Sequence, residues 1–181
     1  MTHPFCLCVY CGSRSGNDPA FAASAREVGR QIGQRGWRLI YGGGGSGMMG
    51  EVANAALQAG AHVTGVIPQR LVERESARDD LSELNVVQTM HQRKHLMAEH
   101  ANAFLALPGG LGTFEEVFEI WTWRQLGYHD KPVGLLNVSG YFDALVGLVD
   151  QAVARGFTTA AHRDLLRVGQ DVGALLDDLA R

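Results

Sequence analysis

The sequence predicts an α/β fold, a doubly wound and mostly parallel sheet with helices on both faces. Two observations carry this. Short, continuously apolar runs alternate with helical patterns of roughly 10–17 residues, and strands apolar on both faces belong to a sheet covered on both sides. Glycine makes up 23 of 181 residues, about twice the usual ~7%, and clusters directly after two of the predicted strands.

The strands are predicted at 5–11, 37–41, 62–67, 84–88, 103–107 and 133–137, with a weaker seventh at 165–168. Helices are predicted at 19–35, 48–59, 90–101, 113–126, 141–155 and 172–179. The charged stretch 71–81 lacks periodicity and reads as a surface loop or irregular helix. With 46% hydrophobic residues the chain can fill one core, so a single domain over 1–181 is expected.

Composition excludes several function classes. Sixteen basic against 19 acidic residues give a net charge of −3, which disfavours nucleic acid or an anionic membrane as partner. No stretch reaches the roughly 18 apolar residues of a membrane span. The start, Met1 to Cys11, has no Lys or Arg and no small-residue cleavage site, so no secretory signal is expected. The three cysteines, Cys6, Cys8 and Cys11, sit in one strand-like segment, which predicts buried thiols in a reducing cytoplasm. No second Cys or His pair completes a ligand set, so neither metal nor cofactor is expected.

In an open α/β sheet, ligands bind beyond the carboxyl ends of the strands where strand order reverses. After the second strand, Gly42 to Gly50 contains G-x-G-x-x-G twice. A backbone without Cβ atoms that opens a helix can approach an anion, and Gly43 and Gly44 are candidate ligand contacts. Tight strand–helix packing explains the same glycines. A dinucleotide fold also needs an acid ending the next strand, whereas 62–67 ends at Pro68.

After the fifth strand comes Pro108-Gly109-Gly110-Leu111-Gly112-Thr113-Phe114-Glu115-Glu116. Thr113 and Glu116 also fit a T-x-x-E capping box, which is the structural account of both. In the helix 90–101, Met90, Met97 and Ala101 form a stripe flanked by Arg93 and Lys94. Buried cations need partners, so a ligand phosphate or a carboxylate such as Glu116 is expected beside them. His91 and His95 lie opposite the stripe and are expected in solvent.

The intact P-G-G-x-G-T-x-x-E of Pro108 to Glu116, the preceding Arg93-Lys94, Cys11-Gly12-Ser13 and the loop 41–50 together resemble the LOG ("Lonely guy") family. The resemblance implies a Rossmann-like homodimer that hydrolyses the N-glycosidic bond of cytokinin riboside 5′-monophosphates, and often AMP, to free base and ribose 5-phosphate. It implies catalysis by Arg93 and Glu116. It implies substrate binding by Glu75, Lys94, the run Gly109, Gly110, Leu111, Gly112, Thr113, Phe114 and Glu115, and by Thr122. The chemistry suits these residue types. A carboxylate stabilises an oxocarbenium-like ribosyl or activates water, and a guanidinium can orient it.

Three competing functions remain at this level: a nucleotide-binding carrier without hydrolysis, a pyridoxal-phosphate lysine decarboxylase and a dehydrogenase. The second must use Lys94 or Lys131, the two lysines of the chain.

Overall fold

The computed structural model describes residues 4–181, so the first three residues of the segment read for a leader lie outside it. Among the described residues, seven strands form one sheet: β1 (Cys6–Tyr10), β2 (Arg38–Tyr41), β3 (His62–Pro68), β4 (Glu83–Val87), β5 (Ala103–Ala106), β6 (Val133–Leu136) and β7 (Leu166–Gly169). Their spatial order is β4-β3-β2-β1-β5-β6-β7, and all six pairings are parallel. The chain winds outward from β1 to β4, returns to β5 beside β1, and winds the other way. Strand order therefore reverses between β1 and β5, where Val9 pairs with Tyr41 on one side and Leu105 on the other.

Alternation along β1 feeds both cores. Leu7, Val9 and Cys11 face one side and Cys6, Cys8 and Tyr10 the other. The first side is covered by α1 (Pro19–Gln34), α2 (Gly47–Gln58) and α7 (Val172–Leu179). The second carries α3 (Met90–His100), α4 (Leu111–Gln125) and α5 (Asp143–Ala154). A short α6 (Ala160–Arg163), unmarked by any periodicity, precedes β7. Among the described residues, no helix is long and apolar enough to cross a membrane.

Two helix starts differ from expectation for local reasons. Asn137 accepts from the Phe142 N–H (2.7 Å), and residues 138–140 form a 3-10 turn, which delays α5 to Asp143. At the other, α4 begins at Leu111 rather than Thr113, with Gly110 as its N-cap and no side-chain cap. The T-x-x-E capping box is therefore overturned, since Thr113 lies inside the first turn. A capping box does form at α3, between Thr89 and Gln92.

The three loops at the reversal point are packed backbone to backbone. The Gly12 N–H donates to the Pro108 carbonyl (3.1 Å), and the Met49 N–H donates to the Gly12 carbonyl (3.3 Å). At Gly47, φ is +58 and a Cβ atom would lie 2.4 Å from the Ser13 carbonyl carbon. Gly60 shares a positive φ of +82 but has open space. Gly47→Ala should therefore destabilise by about 3 kcal/mol, from combined strain and overlap, and Gly60→Ala by about 1 kcal/mol. Equal losses in urea denaturation would contradict the backbone contact.

Candidate active site

A cavity of about 610 Å³ opens at the carboxyl ends of the strands across the reversal point. One end lies beyond β3 and is walled by Leu71, Arg74, Glu75, Met90 and Arg93. The other lies at the start of α4 and is walled by Gly109 to Thr113, the segment 12–16 and Tyr141. Glu116 lines the same cavity, close enough to Arg93 and Glu75 to feel their charges.

Arg93 is buried although it carries a full charge. Its Nε donates to the Val66 carbonyl (3.0 Å), and its Nη2 donates to the Gly42 carbonyl (2.6 Å) and to Glu75 Oε2 (3.1 Å). The stretch 71–81 is thus not a free loop. The Gly45 N–H donates to the Glu75 carbonyl (3.0 Å), and Gly44 bridges Ala77. Together these bonds fix Glu75 where Arg93 can meet it.

Lys94 is buried against Glu119 (3.0 Å) and Glu115. Burial opposes its charge, and the two carboxylates together outweigh burial, so its pKa stands above the ordinary lysine value. The expectation of an anion beside Arg93 and Lys94 holds, but Glu116 is not that partner: Glu75 serves Arg93, and Glu115 and Glu119 serve Lys94.

Glu116 makes no hydrogen bond to protein among the described residues. Burial pushes its carboxyl up from 4.5 to about 7. The Arg93 charge opposes the rise across space, while Glu115 and Glu75 add to it. A guanidinium that holds this acid ionised through a direct bond is therefore not what the structure contains. Tyr10 and Cys11 line the same cavity, and burial raises both above their ordinary values, so they stay neutral there.

The first turn of α4 lines this cavity, and no side chain caps its N–H groups. A helix start of this kind suits an anion. Gly109 must lack a side chain here, because a Cβ would fall 2.1 Å from Thr113 Oγ1 and 2.7 Å from the Gly12 nitrogen.

Of the residues predicted for the site, Glu75, Arg93, Gly109, Gly110, Leu111, Gly112, Thr113, Glu115 and Glu116 line the cavity. Lys94, Phe114, Thr122, Gly43 and Gly44 do not. Thr122 is exposed on α4, roughly 14 Å along the helix from Thr113. Gly43 and Gly44 pack against protein, since Cβ atoms would meet Ile67 (3.3 Å) and Met49 (2.6 Å) respectively. Sequence reasoning passed over Arg14, Arg74 and Tyr141 as site residues. Arg14 follows the first strand at the reversal point, which was a usable signal. His91 and His95 are exposed, as expected.

Residues 49–179 match the family model described as "Possible lysine decarboxylase". The probable cytokinin riboside 5′-monophosphate phosphoribohydrolase LOG4 of Oryza sativa subsp. japonica is 50% identical over 173 residues, 96% of this chain and 75% of its own. The cytokinin riboside 5′-monophosphate phosphoribohydrolase LOG1 of Arabidopsis thaliana is 48% identical over 160 residues, 88% of this chain and 75% of its own. Among solved structures, the molybdenum cofactor binding protein of Rippkaea orientalis aligns with TM-score 0.75 at 19% identity, covering 99% of this chain and 98% of that one. The molybdenum cofactor carrier protein of Chlamydomonas reinhardtii aligns with TM-score 0.74 at 24% identity, covering 98% and 99%. These two similarities show a shared fold.

The raised pKa of Glu116 has a stability consequence. The folded chain holds this proton more tightly than the unfolded chain, so the associated stability is complete below pH 4.5 and is lost as pH rises through about 7. Glu116→Gln should therefore gain on the wild type between pH 5 and pH 8, by at most about 3 kcal/mol. Denaturant unfolding at the two pH values checks this, and a difference independent of pH would contradict it.

Proposed function

Because the chain belongs to the LOG family, matching its model over residues 49–179 and its curated members at 48–50% identity, we propose that it hydrolyses the N-glycosidic bond of nucleoside 5′-monophosphates. Cytokinin riboside monophosphates and AMP are the substrates in this reading, and free base and ribose 5-phosphate the products. The observation that carries it is Glu116, a carboxyl with a pKa near 7 and no hydrogen bond among the described residues, in one cavity with an uncapped helix start and the Arg93–Glu75 pair.

The phosphate binds at the first turn of α4, where N–H groups and Thr113 meet it. The ribose then lies beside Glu116 and Glu75. As the C1′–N bond breaks, positive charge grows on the sugar, and the Glu116 carboxylate offsets it and takes a proton from the attacking water. The nucleobase leaves with the bonding electron pair and takes a proton from solvent, and Glu116 then returns the water's proton to solvent. A base with a pKa near neutrality has both the population and the proton affinity for this task. Arg93 fixes Glu75 by hydrogen bonding, and its charge limits the rise in the Glu116 pKa. The three buried, free thiols support a reducing, cytoplasmic setting.

A second copy of the chain covers α4 in this reading. Leu111 (86% exposed), Phe118 (39%) and Leu126 (63%) share one face of the helix with Thr122. An exposed apolar stripe of this kind marks an interface. It also gives Thr122 a role that its own cavity cannot, as a contact offered to the partner's substrate.

Purified protein incubated with AMP and with isopentenyladenosine monophosphate should release base and ribose 5-phosphate, followed by chromatography. Nucleotide that binds and stays intact would identify a carrier instead. Glu116→Gln should lower kcat at least 10²-fold. Thr113→Ala should raise KM for the monophosphate, and an unchanged KM would contradict its phosphate contact. Phe118→Arg should convert a dimer to a monomer in light scattering, and a monomeric wild type would exclude the interface.

A further inference from the structure

Residues 137–142, between β6 and α5, strap together the two loops that form the helix-start end of the cavity. Ser139 adopts a left-handed backbone (φ 51, ψ 28), uncommon for a residue with a side chain, and Gly140 follows at φ 72. Buried Asn137 holds this shape, donating to Asp143 Oδ1 (2.7 Å) and accepting from the Phe142 N–H (2.7 Å).

The turned strap directs two side chains. Ser139 Oγ donates to Asp18 Oδ2 (2.8 Å), and Asp18 caps α1 through the Ala20 N–H (2.8 Å). The Tyr141 hydroxyl donates to the Gly109 carbonyl (2.5 Å). The Tyr141 ring is itself fixed, edge-on to Phe21 (5.5 Å) and Phe142 (5.0 Å) and stacked on Phe114 (6.4 Å).

In a trans peptide the N–H points opposite to the carbonyl of the same unit. The Gly109–Gly110 peptide has no Cβ on either side, which leaves its backbone wide conformational freedom, and the space beside Gly110 is open. Tyr141 holds the Gly109 carbonyl toward the strap, which turns the Gly110 N–H the other way. A flipped peptide would present a carbonyl oxygen where an anion is to bind.

We infer that Tyr141 is a positioning residue for the phosphate, its hydroxyl orienting the Gly109–Gly110 peptide so that the Gly110 N–H joins those of the α4 first turn. This rests on the mononucleotide reading above. Tyr141 acts through the loop, and its loss falls on monophosphate binding.

Tyr141→Phe removes the hydroxyl and keeps the ring contacts. KM for AMP should rise about tenfold, the size of one hydrogen bond to a charged group, with the loss on KM rather than kcat. By calorimetry, ribose 5-phosphate should bind about tenfold more weakly to the variant, with adenine affinity unchanged. Equal ribose 5-phosphate affinity in the two proteins, or equal weakening of adenine and ribose 5-phosphate, overturns the inference. A wild type that cleaves AMP beside an indifferent variant removes this inference alone. A wild type that neither binds ribose 5-phosphate nor cleaves AMP removes the mononucleotide reading and this inference with it.

Discussion

Arg93, with 5% of its surface exposed, ties the carbonyls of Gly42 and Val66, beyond one strand and within another, to the carboxylate of Glu75. Taking a guanidinium out of water costs several kcal/mol, and only multiple well-formed hydrogen bonds offset it. Three such bonds do so here, and they impose a condition on the chain. A Cβ at Gly42 would fall 2.3 Å from Arg93 Nη2, so that position accepts no larger residue while the guanidinium stays. The first glycine loop, the segment 71–78 and the start of α3 are consequently one interlocked unit.

That unit explains why two carboxyls in one cavity are held differently. Glu75 faces a cation at hydrogen-bond distance. Glu116 faces the same cation only across space, and burial dominates its titration. One cavity thus holds a carboxyl fixed by a direct bond to a guanidinium and, beside it, a carboxyl that exchanges its proton near neutral pH. The division depends on direction: Arg93 comes from a helix packed over the strands and turns toward the β3 side, leaving Glu116 without a direct partner among the described residues.

The sheet was legible because its signal is local: each strand is a short apolar run, and each helix follows with its own period. The glycine runs pointed to the right end of the sheet for a related reason, since a cluster of residues without side chains is rare. What could not be read was which atoms those glycines admit. Gly42 makes room for Arg93, Gly45 for the Ser76 carbonyl and Gly47 for the Ser13 backbone, all contacts between segments distant in sequence. The same limit misassigned the cations. A helical wheel shows that Arg93 and Lys94 turn inward, yet Glu75, Glu115 and Glu119 reach them only through the tertiary fold. Thr113 and Glu116 matched a capping pattern that the backbone pre-empts, because Gly110 caps the helix one turn earlier. Tyr141 gave no warning at all, as its role depends on a left-handed strap residue and a carbonyl 32 positions away.

The lysines decide between chemistries that the fold alone leaves open. Molybdenum cofactor proteins share this sheet and helix arrangement at low identity, and the matched family model carries a decarboxylase description. An aldimine needs an amine that is free, neutral at some stage and directed into the cavity. Lys94 is pinned between Glu115 and Glu119, which hold its pKa up. Lys131 donates to the Ala98 and Glu99 carbonyls near the end of α3, far along the helix from the cavity that its start helps to line. Neither amine can attack a carbonyl carbon without first abandoning these partners. The polar groups that do line the cavity are guanidinium, carboxyl, hydroxyl, thiol and backbone amide, with no amine among the described residues there. A set without an amine has no means of forming an imine.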